Sequence, residues 1–141
     1  MKKTIILNIE YLGWSKKIIR KIEFLEEQTL DDLHEFIIYK TFGWDDPHMY
    51  SFFMDNKPYS QNRKMEYASH PEKDFLTGSK PNSTETKLKD LNLKKGQRFL
   101  FLFDFGDDHN FNIKVEDFSE SKEGEKYPKI LEEIGKAPKQ Y

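Results

Sequence analysis

Residues 99–105 read Phe-Leu-Phe-Leu-Phe-Asp-Phe, and they constrain the fold more than any other stretch of the chain. Along an extended strand, successive side chains point to opposite faces. Phe99, Phe101, Phe103 and Phe105 therefore line one face, and Leu100 and Leu102 the other. A strand apolar on both faces belongs inside a sheet that is covered on both sides. With 12 Phe, 7 Tyr and 2 Trp among 141 residues, large rings are the natural filling for such a core. Chain length fits one domain, 1–141, with one hydrophobic core.

The flanking pattern supplies the partners of this strand. Residues 4–12 alternate, with Ile5, Leu7, Ile9 and Tyr11 on one side and Asn8 and Glu10 on the other. Gly13-Trp14-Ser15 turns the chain, and residues 17–25 alternate again, so the pair predicts a hairpin. Thr29 can cap a helix whose stripe is Leu30, Leu33, Ile37 and Thr41, with Asp31 and Asp32 at its positive end and Gly43 at its close. A short strand follows at 49–54, and another could begin at Tyr59. Residues 60–87 lose periodicity and read as a long polar surface loop, with Tyr67 or Phe75 as its one aromatic anchor. Leu88, Leu91 and Leu93 form a compact turn. After Gly106-Asp107-Asp108, the chain alternates again through His109, Phe111, Ile113 and Val115. Tyr127-Pro128 then leads into a short C-terminal helix ending near Gly135. The expected class is α+β: a β-grasp-like mixed sheet, one main packed helix and a short C-terminal helix.

Composition excludes several chemistries. There is no cysteine, hence no disulfide, thiolate metal site or cysteine nucleophile. Basic and acidic residues number 23 and 25, for a formal net charge of −2. That balance counts against a duplex-binding protein and leaves room for a local basic patch. No run approaches the ~20 apolar residues of a membrane-spanning helix, and no cleavable leader follows Met1, so the expected location is cytoplasmic, away from any membrane. Neither a G-x-S-x-G elbow nor a glycine-rich phosphate loop is present, and cofactor and catalytic residues stay unassigned.

Several stretches, in order, carry a family resemblance: residues 29–34 (Thr-Leu-Asp-Asp-Leu-His), 42–52 (Phe-Gly-Trp-Asp-Asp-Pro-His-Met-Tyr-Ser-Phe), Leu88-Lys89-Asp90-Leu91 with Lys95-Gly96, and 103–108 (Phe-Asp-Phe-Gly-Asp-Asp). Together they resemble the plasmid pRiA4b ORF-3-like proteins, from about Ile5 to the C-terminus. That resemblance implies a β-grasp-like fold and a mobile-element association, and no established activity. The family's Trp-x-His after Gly-Asp-Asp is replaced here by His109 and Phe111. Its proline- and arginine-rich second strand survives as Arg20 and Lys21, and its acidic, glycine-rich C-terminal motif is cut to Ala137-Pro138-Lys139-Gln140-Tyr141.

The candidate binding residues are Arg20, His34, His48, Asp104, Asp107, Asp108 and His109. The histidines and carboxylates are ligand types for a hard or borderline metal, yet no H-x-x-x-H spacing occurs, so no metal ligand is assigned. Each also has a structural reading: His34 as a core histidine, Asp104–Asp108 as turn chemistry. Arg20 shares a strand face with Ile18, Ile22 and Phe24, so it is expected to point inward and pair with Asp104 or Asp107. Lys16, Lys17, Arg20 and Lys21 beside Trp14 could grip a single strand by charge and stacking. Two classes follow: a non-enzymatic module binding a protein or single-stranded nucleic acid, or a small metal- or carboxylate-dependent enzyme at residues 104–108.

Overall fold

Strand β6 (Arg98–Phe103) sits inside an eight-stranded sheet. The computed structural model describes all of residues 1–141. The other strands are β1 (Lys3–Tyr11), β2 (Ile19–Leu25), β3 (Tyr50–Phe53), β4 (Glu66–Ala68), β5 (Asn82–Ser83), β7 (His109–Glu120) and β8 (Lys129–Ile134). They lie in the order β5-β4-β3-β6-β7-β1-β2-β8. All neighbours are antiparallel except β4 and β5 at one edge, so the sheet is mixed and the class is α+β.

Both faces of β6 are covered, for different reasons. Phe99, Phe101 and Phe103 join the main core with Ile5, Leu7, Ile9, Phe52 and Phe111. Leu100 and Leu102 pack with Phe53 in a separate small cluster on the opposite face. Phe105 departs from the expected row. Asp104 takes a left-handed conformation (φ 65°), which ends the alternation and leaves Phe105 exposed.

The main core is roofed by helix α1 (Leu30–Glu35), which continues as a π-helical stretch, Phe36–Thr41. The expected cap is present: Thr29 Oγ1 accepts from the Asp32 amide at 3.1 Å, and Asp32 returns the bond at 2.8 Å. Leu30, Leu33, Ile37 and Ile38 are all buried. The wider π turn, with Phe42 N–H donating to the Ile37 carbonyl at 3.0 Å, shifts the register so that Phe42 and Trp44 also face inward. No helix is long and apolar enough to cross a membrane.

Two expectations are corrected. Residues 129–134 form an edge strand on β2 where a C-terminal helix was expected. The spacing of Ile130, Leu131 and Ile134 suits either period, and the open edge of β2 offers a hydrogen-bond ladder that decides it. The polar stretch 60–87 contains β4, β5 and a 3₁₀ turn, Arg63–Met65, and adds two strands to the sheet beyond β3. Strands of three and two residues are too short to show alternation. Tyr67 packs on the core, whereas Phe75 is 99% exposed, and Tyr59 lies in a turn rather than a strand.

Candidate functional site

The β6–β7 hairpin ends at one rim of the sheet, and its turn is built by a buried carboxylate. Asp104 Oδ1 accepts from the Gly106 and Asp107 amides at 3.1 and 3.3 Å. Asp104 and Asp108 both have positive φ, a conformation that Asp tolerates better than most residues. Asp108 faces outward and accepts from the Tyr59 hydroxyl at 2.8 Å. Asp104 Oδ2 lies 3.3 Å from both His48 Nε2 and the Tyr141 hydroxyl. Asp46 approaches the same imidazole at 3.6 Å.

His109, the first residue of β7, is 8% exposed and packs at 4.5 Å between ring centres on Trp44. Its Nδ1 bonds to the Tyr11 hydroxyl at 2.8 Å, while Nε2 is buried with no hydrogen-bond partner. Burial pushes its pKa down, against the pull of Asp104 and Asp107, so the neutral ring is favoured. One ring nitrogen of His109 and one oxygen each of Asp104 and Asp107 lie within 4.8 Å of one another.

Arg20 is buried as expected, at 4% exposure, but its partner is different. Nη1 donates to the carbonyls of Ile19, Ile134 and Gly135 at 2.9, 3.1 and 3.0 Å, and Nε lies 3.7 Å from Glu133. The expected pairing with Asp104 or Asp107 is absent, because the guanidinium meets the carbonyls of Ile134, at the end of β8, and of Gly135 just after it, beside that of Ile19 in β2. The guanidinium also sits 5.5 Å from the Phe42 ring centre. From β8 the chain crosses the rim. Trp44 Nε1 donates to the Pro138 carbonyl at 2.8 Å, and Gln140 exchanges two bonds with the Asp46 backbone.

His34 stands apart from this group. Its ring stacks on Tyr50 at 3.6 Å and on Phe103 at 5.5 Å, inside the core. The structure thus brings Asp104, Asp107, His109 and His48 together, leaves Asp108 on the outer side of the turn, and uses Arg20 and His34 elsewhere.

Beside the same rim is a groove of ≈ 640 Å³ lined by Trp14, Lys16, Ile18, Gly135, Lys136, Ala137, Pro138, Lys139 and Tyr141. Trp14 and Tyr141 are 53% and 67% exposed. Lys16 and Trp14 were legible as a pair in the sequence. Lys136, Lys139 and Tyr141 were not, because only the crossing of the C-terminal segment brings them to the hairpin end.

A model of the plasmid pRiA4b ORF-3-like protein family matches residues 3–140. The chain belongs to this family. The fold is also similar to a crystal structure of a protein of unknown function from Methanosarcina mazei Go1. The TM-score is 0.79 at 25% identity, covering 99% of this chain and 74% of that one. No curated protein matches. Within this plasmid pRiA4b ORF-3-like chain, Phe111 is wholly buried among Tyr11, Phe42 and Phe101. Position 111 contributes no polar group, and the imidazoles of this rim are those of His109 and His48.

Proposed function

We propose that the protein is a non-enzymatic binding module, acting in the cytoplasm, whose partner is a single-stranded nucleic acid held in the Trp14–Tyr141 groove. One observation carries this reading: two exposed aromatic side chains and three lysines border one groove, and none of the lysines is engaged in an ion pair. Bases stack on aromatic side chains whatever their identity, and phosphates follow the cations. At the level of fold, we read the hairpin followed by a packed helix as β-grasp-like in its order. Catalysis at the acidic turn is the weaker reading. The groove, and a second cleft of ≈ 560 Å³ lined in part by Phe105, are lined by neither Asp104, Asp107 nor His109.

Trp14 is its own reporter, since Trp44 is buried. Titration with a short oligothymidylate should quench Trp14 emission, and Trp14→Ala should weaken binding about tenfold, within the ~1–3 kcal/mol of one stacked base. Neutralising three phosphates gives a salt slope of roughly −2, so affinity should fall about 20-fold between 50 and 200 mM salt. Equal binding of polyglutamate would reassign the groove to an acidic protein segment. A lack of binding to either would refute the reading.

A further inference from the structure

We propose that Asp104, Asp107 and His109 form a site for a borderline divalent cation of the Zn²⁺ or Mn²⁺ kind. This goes beyond the groove and holds whether or not the groove takes nucleic acid.

Three donors converge at the end of the β6–β7 hairpin. Their ligand atoms lie within 4.8 Å of one another. Donors at 2.0–2.2 Å from one tetrahedral cation stand about 3.3–3.6 Å apart, so closing on an ion draws the widest pair together by up to about 1.2 Å. Asp107 is exposed and is the side chain with room to make that movement. Asp104 is already fixed by the two turn amides on Oδ1 and by His48 and Tyr141 on Oδ2. These four contacts match the four lone-pair sites of the carboxylate, so a cation on Asp104 replaces one of the two 3.3 Å contacts on Oδ2, from His48 or Tyr141.

The independent observation is His109. Its ring is more than nine-tenths buried, and Nε2 has no hydrogen-bond partner. The Gln140 main chain lies near enough to favour a charged ring, but no hydrogen bond to Nε2 is completed. A buried polar atom without a partner costs free energy unless something else occupies it. On the other side of the ring, Nδ1 is held by the Tyr11 hydroxyl at 2.8 Å. If Nδ1 donates that proton, Nε2 keeps its lone pair free for a ligand, the tautomer that an outer partner imposes on a metal-ligating histidine. Two carboxylates with one imidazole suit a borderline ion better than Mg²⁺ or Ca²⁺, which take all-oxygen sets. Trp44, tilted against His109 at 4.5 Å between ring centres, closes one side of the site with an apolar wall.

Trp44 also provides the readout. In the full chain carrying Trp14→Phe, emission comes from Trp44 alone, and Mn²⁺ bound beside His109 should quench it. Zn²⁺ at a hundredfold excess over its Kd should raise Tm by roughly 5–10 °C. Asp107→Asn, at an exposed position that leaves the core intact, should weaken both effects at least about tenfold. Asp108→Asn, one residue along the same turn, should leave affinity within about twofold. His109→Gln should abolish quenching. The proposal is overturned if neither Zn²⁺ nor Mn²⁺ binds, if Asp107→Asn and Asp108→Asn bind alike, or if Mg²⁺ and Ca²⁺ bind more tightly than Zn²⁺.

Discussion

Burial of His34 between Tyr50 and Phe103 removes the water that would stabilise an imidazolium, and its pKa falls to about 4 despite the nearby Asp31 carboxylate. The folded state therefore resists a proton that the unfolded chain binds below about pH 6.5. Stability from this group is complete above pH 6.5 and is lost as pH falls toward 4. The loss should reach about 3 kcal/mol, at 1.36 kcal/mol per pH unit. His109 is depressed in the same direction by burial and adds to the acid sensitivity. Urea unfolding at pH 7, 5.5 and 4 should show His34→Phe with a flatter profile than the native chain; an unchanged slope would assign the acid loss to other groups. His34 was legible as a core histidine, since it lies within the helix's apolar stripe. Its stacking partner Tyr50 was not, because Tyr50 arrives from a strand whose pairing with β6 is non-local.

At the scale of elements, β8 and Arg20 explain each other. A guanidinium buried against the main core needs acceptors, and the end of β8 and the residue after it supply two carbonyls. Gly135 makes the approach possible: its φ is +78°, and a Cβ there would stand 2.3 Å from the Lys17 carbonyl oxygen. Arg20→Ala should cost about 2–3 kcal/mol, the usual scale for hydrogen bonds to a charged group. Amide exchange in β8 should accelerate with it. Arg20→Lys should recover little, because an ammonium lacks the planar fork that spans several carbonyls. A loss under half a kilocalorie in chemical denaturation would mean that the β2–β8 ladder holds the strand unaided. The sequence indicated the inward direction of Arg20 through period-two alternation. It pointed to the wrong acceptors because backbone carbonyls leave no trace in residue identity.

Across the whole molecule, rigidity should follow the sheet. Between β4 and β5 the chain exposes Phe75 and Leu76 almost completely, with no strand or helix at 69–81. Chymotrypsin should nick there first, and initial cleavage within β6 or β7 would contradict this order of local stability. The two-sided apolar character of residues 99–105, the opening hairpin, the capped helix and the family motifs were all readable by eye, because each depends on neighbours within a few positions. The single α+β class followed from their order. Local reading misjudged residues 129–134, which became a strand because β2 offered an edge, and residues 60–87, whose short strands lie below the length at which alternation is visible. The convergence of Asp104, Asp107 and His109 was foreseen only as three adjacent residue types in a turn. The orphaned Nε2, the Tyr11 bond and the Trp44 wall come from β1 and the 42–48 segment, 60 or more residues away in the chain. Local propensity and periodicity are properties of sequence neighbours, and so the sequence determined the elements. Which side chains meet at the rim depends on strand order and on where the C-terminal segment crosses, and only the tertiary structure decides these.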